Sequence, residues 1–311
     1  MPLDPQAKAI LDAGEEAGGP SLEDMPLEEA RAFADDLSDN FGVALANVAS
    51  VETMSIPGPA GPIEARIVRP HGTGATSPVL IYYHGGGWVL GSAESHLVEA
   101  HYYANKAGCV VVVPGYRLAP EAVFPAAVDD CAAVLEWVAA NATTLGFDAG
   151  RIAVGGDSAG GNLAAVVAQQ ALNRGGPGLC FQLLVYPVTD AYQDTESYRT
   201  NGEGYFLTKA MMAWFIETYL NDPIERDDSR VSPLRAADLS GLPPAFVVTA
   251  EYDPLHDEGE AYAKRLEDAG VAVEYRSEAG QIHGFMSMAG AIDVGRQGLD
   301  AAADALRRAF A

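Results

Sequence analysis

The chain has 311 residues, of which 49% are hydrophobic and 20% charged, a composition that fits one large folded unit and excludes a disordered or fibrous chain. A formal charge of −24 repels phosphate backbones and anionic lipid, which excludes nucleic acid as the expected partner and points to small, neutral ligands. No apolar run reaches the roughly 18 residues that a bilayer-spanning helix needs, and the acidic first residues lack a basic patch followed by an apolar stretch, so a soluble, cytoplasmic protein is expected. Three cysteines are an odd number, and Cys109 and Cys180 lie in apolar runs, as reduced core thiols do; no disulfide framework is implied. Lysine occurs only at Lys8, Lys106, Lys209 and Lys264, and the acidic surface reads as a solubility bias, with adaptation to salt the alternative.

In chain order, helical patterns cover Pro5 to Gly14 and Leu27 to Phe41. Val51 to Ser55 and Ile63 to Val68 then read as an antiparallel pair at a sheet edge. From Pro78 onward, β-branched runs alternate with amphipathic stretches, the pattern of a mostly parallel sheet covered by helices on both faces. The expected strands are Val79–Tyr83, Cys109–Val113, Ile152–Val154, Phe181–Val185, Phe246–Thr249 and Val271–Tyr275. Between and after them come expected helices at Pro125–Ala140, Ala159–Leu172, Glu258–Ala269 and Val294–Phe310. Two segments fall outside the alternation: residues 1–45, and the stretch 188–240 between two parts of an α/β core, 46–187 and 241–311. In the second, Thr208 is placed to cap a helix whose Met211, Phe215 and Tyr219 share one face. Both segments are expected to form a helical cap over the core.

Gly156-Asp157-Ser158-Ala159-Gly160 joins the strand at Ile152–Val154 to the helix at Ala159. A nucleophile at such a tight turn has strained backbone and close neighbours, which calls for small residues two places to either side, here Gly156 and Gly160. The helix N-terminus aims the Ala159 N–H and the positive end of the dipole at charge developing beside Ser158. His84-Gly85-Gly86-Gly87-Trp88, after the strand ending at Tyr83, is a glycine run able to bring N–H groups to a substrate oxygen. Neither a P-loop lysine nor a dinucleotide glycine fingerprint accompanies these motifs, and no metal or cofactor is expected. Serine needs a base and an orienting acid. Asp253, just past the strand at Phe246–Thr249, and His283, in the loop after the last strand, supply them in the order serine, acid, histidine. Among rivals, His256 sits too near Asp253 in the chain, Glu258 is a substitute acid, and Asp157 is too near Ser158 to reach the far side of the histidine. His96 and His101 read as surface or cap-facing residues.

Together with Tyr116-Arg117-Leu118-Ala119-Pro120-Glu121, Asp253-Pro254-Leu255-His256-Asp257-Glu258-Gly259 and His283-Gly284-Phe285, these motifs resemble the hormone-sensitive lipase family of esterases, bacterial family IV, over about Pro78 to Phe285. The resemblance implies an α/β-hydrolase fold with a helical cap, no metal, and hydrolysis of short- to medium-chain carboxylic esters. It also implies that Gly86 and Gly87, with Gly85 as a further candidate, join Ala159 in an oxyanion hole, and a homodimer is an expectation by the same analogy. Two positions depart from the family pattern, His256 where arginine is frequent and Gly115 where aspartate or serine is; neither touches the three catalytic candidates. The substrate pocket should be apolar, with Trp88, Tyr186, Phe206, Trp214, Phe285 and Met286 as candidates. A ligand receptor on the same fold, like the plant gibberellin receptors, would lack a working base, and His283 argues against it. An amide- or carbamate-cleaving enzyme, like the arylacetamide deacetylases, would use the same three groups.

Overall fold

The computed structural model describes residues 2–72, 74 and 76–311. Helices α1 (Pro5–Ala17) and α2 (Leu27–Phe41) precede a hairpin of β1 (Ser50–Gly58) and β2 (Gly61–Arg69). Then follow β3 (Ser77–Tyr83), α3 (Leu97–Tyr103), β4 (Val110–Pro114), α4 (Ala126–Leu145), β5 (Phe147–Asp157), α5 (Ala159–Arg174) and β6 (Phe181–Val185). Helices α6 (Glu196–Thr200) and α7 (Lys209–Tyr219) interrupt the alternation before β7 (Ala245–Tyr252), α8 (His256–Asp268), β8 (Val273–Ile282) and α9 (Asp293–Ala309). No helix among the described residues is long and apolar enough to cross a membrane.

The eight strands form one sheet in the order β1-β2-β4-β3-β5-β6-β7-β8. β1 pairs antiparallel with β2, and β2 with β4, while every other neighbouring pair is parallel. The edge pair anticipated from the sequence is therefore present, as a hairpin turning between Gly58 and Gly61. The last strand reaches further than its apolar run, to Ile282, because parallel pairing with β7 continues through residues whose side chains are polar; strand length here follows the ladder, not hydropathy.

Period-two alternation sends the strand side chains to two separate cores. Val79, Ile81 and Tyr83 of β3, with Val110 and Val112 of β4, enter one core together with α4, α5 and α8. Leu80 and Tyr82, with Val111 and Val113, enter the other with α3 and α9. A strand buried on both faces needs a continuous apolar run, which β4 has; β6 is interrupted only by Gln182, whose side-chain amide donates to Pro243 O. Each such Val, Leu or Ile contributes about 1.5–3 kcal/mol by leaving water. The parallel strands all point their carboxyl ends to one edge, and the turns there carry the chemistry-bearing residues.

Thr208 caps α7 as expected, its hydroxyl accepting from the Met211 N–H at 3.1 Å. Of the predicted stripe, Phe215 and Tyr219 are buried and Met211 is half-buried. Tyr219 stacks on Trp88 with ring centroids 4.5 Å apart and planes within 5°. Phe215 lies against Gly87 so closely that a Cβ there would collide with its ring. Helix α7 thus rests directly on the glycine loop that follows β3.

Candidate active site

β5 ends at Asp157 and α5 begins at Ala159, leaving Ser158 alone at the corner with φ 54° and ψ −118°. That conformation is sterically strained for a residue with a Cβ, and it persists because the surrounding contacts hold it. The Ser158 N–H donates to Val185 O at 2.8 Å, and Ser158 O accepts from Asn162 N at 3.0 Å. The glycine requirement is steric: a side chain on Gly160 would run into the Tyr83 carbonyl oxygen and, at 2.6 Å, that of His84. Both obstacles are backbone of a central strand and cannot swing aside. Gly160→Ala is therefore expected to cost about 3 kcal/mol or more of stability and to abolish hydrolysis, read from thermal melts and ester turnover; a wild-type melting temperature would contradict this packing.

Across the corner, His283 Nε2 lies 3.1 Å from Ser158 Oγ. On its other side, Nδ1 is 2.6 Å from Asp253 Oδ2. Asp253 is fully buried, and its second oxygen accepts the Leu255 N–H at 2.9 Å, so the carboxylate is fixed in the turn before α8. Three turns at the carboxyl edge, after β5, β7 and β8, bring the three groups together from residues widely separated in the chain. Tyr186, at the end of β6 with φ 33°, places its ring 4.7 Å from that of His283.

The rival acids are occupied elsewhere. Glu258 accepts from the Thr189 and Asp190 N–H groups at 2.8 and 3.2 Å, and burial pushes its carboxyl well above the usual range. Asp157 accepts from Tyr82 Oη–H at 3.0 Å and from the Gly85 N–H at 3.2 Å. His256 begins α8, as expected, and contacts Asp257 and Ser277.

In the glycine loop, positive φ angles at Gly86 (108°), Gly87 (60°) and Trp88 (62°) fold the chain back. The loop is tied down from several sides. Tyr116 Oη–H donates to His84 O at 2.8 Å, and Ala119 N–H to Trp88 O at 2.9 Å. Arg31 of α2 donates to Val89 O and Ala119 O while pairing with both oxygens of Glu121. Burial and the neighbouring His96 push the His84 imidazole down to about 3, so it is neutral and its Nδ1–H donates to Gly85 O at 2.8 Å.

Several expectations need correcting. The Gly85 N–H, a further oxyanion candidate, is engaged within the fold, 3.2 Å from the Asp157 carboxylate and 3.2 Å from His96 Nε2. As the first residue of α5, Ala159 has an N–H without an intrahelical acceptor. Trp88, Phe285 and Met286, expected in the substrate pocket, are fully buried: Trp88 lies under Tyr219, while Phe285 and Met286 pack behind His283 against Gly295 and Gly298 of α9. Large apolar side chains beside a motif went into the core because α7 and α9 cover them. Tyr186 is buried as well but keeps its contact with the His283 ring; Phe206, near Gly284, and Trp214 on α7 remain half-buried and accessible. His96 and His101 are also buried, not surface residues: His101 Nδ1 meets Ala46 O at 2.9 Å, and His96 meets Asp157. The signal for His96 in the sequence was indirect, since a buried aspartate beside a nucleophile requires a partner.

A family model described as alpha/beta hydrolase fold matches residues 80–287, more than half of the chain and every residue of the constellation above. The chain belongs to the hormone-sensitive-lipase-like family of α/β-hydrolase esterases. Within this esterase family, it is 48% identical over 244 residues to carboxylic ester hydrolase LipN of Mycobacterium tuberculosis, covering 76% of this chain and 65% of LipN. Carboxylesterase NlhH of the same species is 43% identical over 252 residues, 80% of this chain and 79% of NlhH. Among solved structures, an ester-hydrolase from the metagenome of Lake Arreo, complexed with a bipyridine phosphonate derivative, superimposes with a TM-score of 0.95 at 44% identity, covering 99% of each chain.

Proposed function

We propose that this chain is a serine carboxylesterase that hydrolyses short- to medium-chain carboxylic esters through Ser158, His283 and Asp253 and an acyl-enzyme intermediate. The observation that carries the reading is the unbroken line of contacts from Asp253 Oδ2 to His283 Nδ1 at 2.6 Å and from His283 Nε2 to Ser158 Oγ at 3.1 Å, ending on a serine held at positive φ. The named relatives, carboxylic ester hydrolases and a phosphonate-bound ester-hydrolase, support it.

In this reading Asp253 holds the imidazole with its proton on Nδ1, so that Nε2 presents a lone pair to the Ser158 hydroxyl. Oγ attacks the ester carbonyl carbon as its proton passes to Nε2, and the carbonyl oxygen becomes an oxyanion held by the amides of Gly86, Gly87 and Ala159. Collapse breaks the bond to the alcohol, which takes the proton from Nε2 and leaves the acyl group on Oγ. Water repeats the sequence: it attacks the acyl carbon, gives its proton to Nε2, and the acid leaves as Oγ is reprotonated. Residues 1–45 and 188–240 act as a cap over the core formed by 46–187 and 241–311, with Phe206, Trp214 and Tyr186 bounding an apolar pocket.

A helical cover resting on the glycine loop limits the acyl chain. Turnover of p-nitrophenyl acetate and butyrate is therefore expected to exceed that of the octanoate, and the palmitate to be cleaved slowest. Highest turnover on the palmitate would overturn the pocket reading, and no turnover on any of the four by folded protein would overturn the activity in favour of a binding role.

A further inference from the structure

Beside the glycine loop and the nucleophile turn lies a second buried histidine–carboxylate pair that the hydrolytic reaction as drawn does not use. His96, immediately before α3, places Nε2 3.4 Å from Asp157 Oδ1. The same carboxylate oxygen lies 3.2 Å from the Gly85 N and 3.0 Å from Tyr82 Oη, and its residue is the chain neighbour of Ser158. Nδ1 of His96 sits 3.1 Å from Ser95 Oγ. The Gly85 N is also 3.2 Å from His96 Nε2. With the imidazole protonated, Nε2 is itself a donor, so the Gly85 proton goes to the carboxylate.

Burial disfavours the charged form of both partners, yet each holds the other charged. Burial alone would lower His96, but Asp157, by charge and hydrogen bond, and Glu99 raise it to about 9. Against its own burial, Asp157 is held below the usual carboxylate range by His96, by charge and hydrogen bond, and by the Tyr82 hydroxyl. The remaining titratable groups around the pair do not supply a competing cation. His84, 5.5 Å away ring to ring, is neutral, Glu99 on α3 is a further acid whose carboxyl burial raises, and the phenols of Tyr82, Tyr103 and Tyr186 are pushed well above their ordinary value by burial.

We propose that His96 is a positioning residue of the reaction: as an imidazolium it neutralises the Asp157 carboxylate beside the nucleophile, and the pair anchors the Gly85 amide so that the amides of Gly86 and Gly87 face the developing oxyanion. Two consequences follow from the placement. An unneutralised carboxylate next to Ser158 would oppose the negative charge of the transition state, and a loose Gly85 would let the donors drift. Both effects act on the transition state and not on substrate binding, so they fall on kcat. The inference rests on the esterase reading of Ser158 and the glycine loop.

The test uses the full chain with p-nitrophenyl butyrate from pH 6 to pH 10.5, for wild type, His96→Gln, Asp157→Asn and the double variant, beside an imidazole NMR titration of the wild type. Wild-type kcat should fall with a midpoint near 9 as His96 loses its proton. His96→Gln should lower kcat at neutral pH by about 10- to 100-fold, short of the loss of a whole oxyanion donor, with KM nearly unchanged. The double variant, which carries no charge at this pair, should regain part of that loss and lack the alkaline fall. Equal kcat in His96→Gln and wild type, a loss confined to KM, or an alkaline fall that survives in the double variant overturns the proposal. Should a variant fail to fold, the titration decides, because a His96 ring already neutral at pH 7 overturns it without any substitution. Inactive wild type removes the esterase reading together with this inference, whereas active wild type with a neutral His96 removes the inference alone.

Discussion

Ser158→Ala is expected to lower kcat toward p-nitrophenyl butyrate by about a millionfold, the loss found when the nucleophile of such a relay is removed and close to 8 kcal/mol of transition-state stabilisation. The fold should survive. The Ser158 backbone, not its hydroxyl, makes the bonds to Val185 and Asn162, and the hydroxyl's contact is with His283 Nε2. Substrate binding should survive as well, since the apolar groups that bound the site are untouched. Steady-state kinetics, with a chromogenic phosphonate ester to label the nucleophile and mass spectrometry to locate the adduct, checks both parts. Residual turnover within tenfold of wild type, or an adduct on another residue, would show that the attack does not come from Ser158.

Asp253→Asn should cost about 10⁴-fold in kcat while leaving the melting temperature close to that of the wild type. The carboxylate accepts from His283 Nδ1 at 2.6 Å and from Leu255 N at 2.9 Å. An amide keeps an oxygen for Leu255 but offers its NH₂ to Nδ1, which favours the tautomer protonated on Nε2. That tautomer cannot take the Ser158 proton. Neither rival carboxylate is placed to compensate, because Glu258 is committed to Thr189 and Asp190, and Asp157 to Tyr82 and Gly85. A drop of less than tenfold would mean that a second acid reaches the imidazole. Unfolding of the variant in place of a kinetic loss would make Asp253 a structural residue.

Much of the site was legible before any coordinates. Gly156 and Gly160 around Ser158 announce a corner that admits no side chain, and the order Ser158, Asp253, His283 at the ends of three expected strands places all three at one sheet edge. The hidden part concerns what each polar atom faces. Gly85 stood as a further candidate beside Gly86 and Gly87, and in the fold its N–H meets Asp157 from the end of β5. His96 looked like a surface residue because its own neighbours, Ser95 and Glu94, are polar. Trp88, Phe285 and Met286 were expected in the pocket for their size and position, and were drawn into the core by α7 and α9.

Local sequence sufficed for the period-two strands, the steric demand of the nucleophile corner and the Thr208 cap, because each depends on backbone conformation and side-chain spacing within a few residues, while the three catalytic candidates followed from their order at the ends of successive strands. It took distant contacts in the folded chain to fix where the Gly85 amide is engaged, which histidine is buried beside a carboxylate, and which of the aromatic candidates are buried. Those outcomes depend on distant segments converging in a low-dielectric interior, where a buried charge must find its partner wherever the fold brings one.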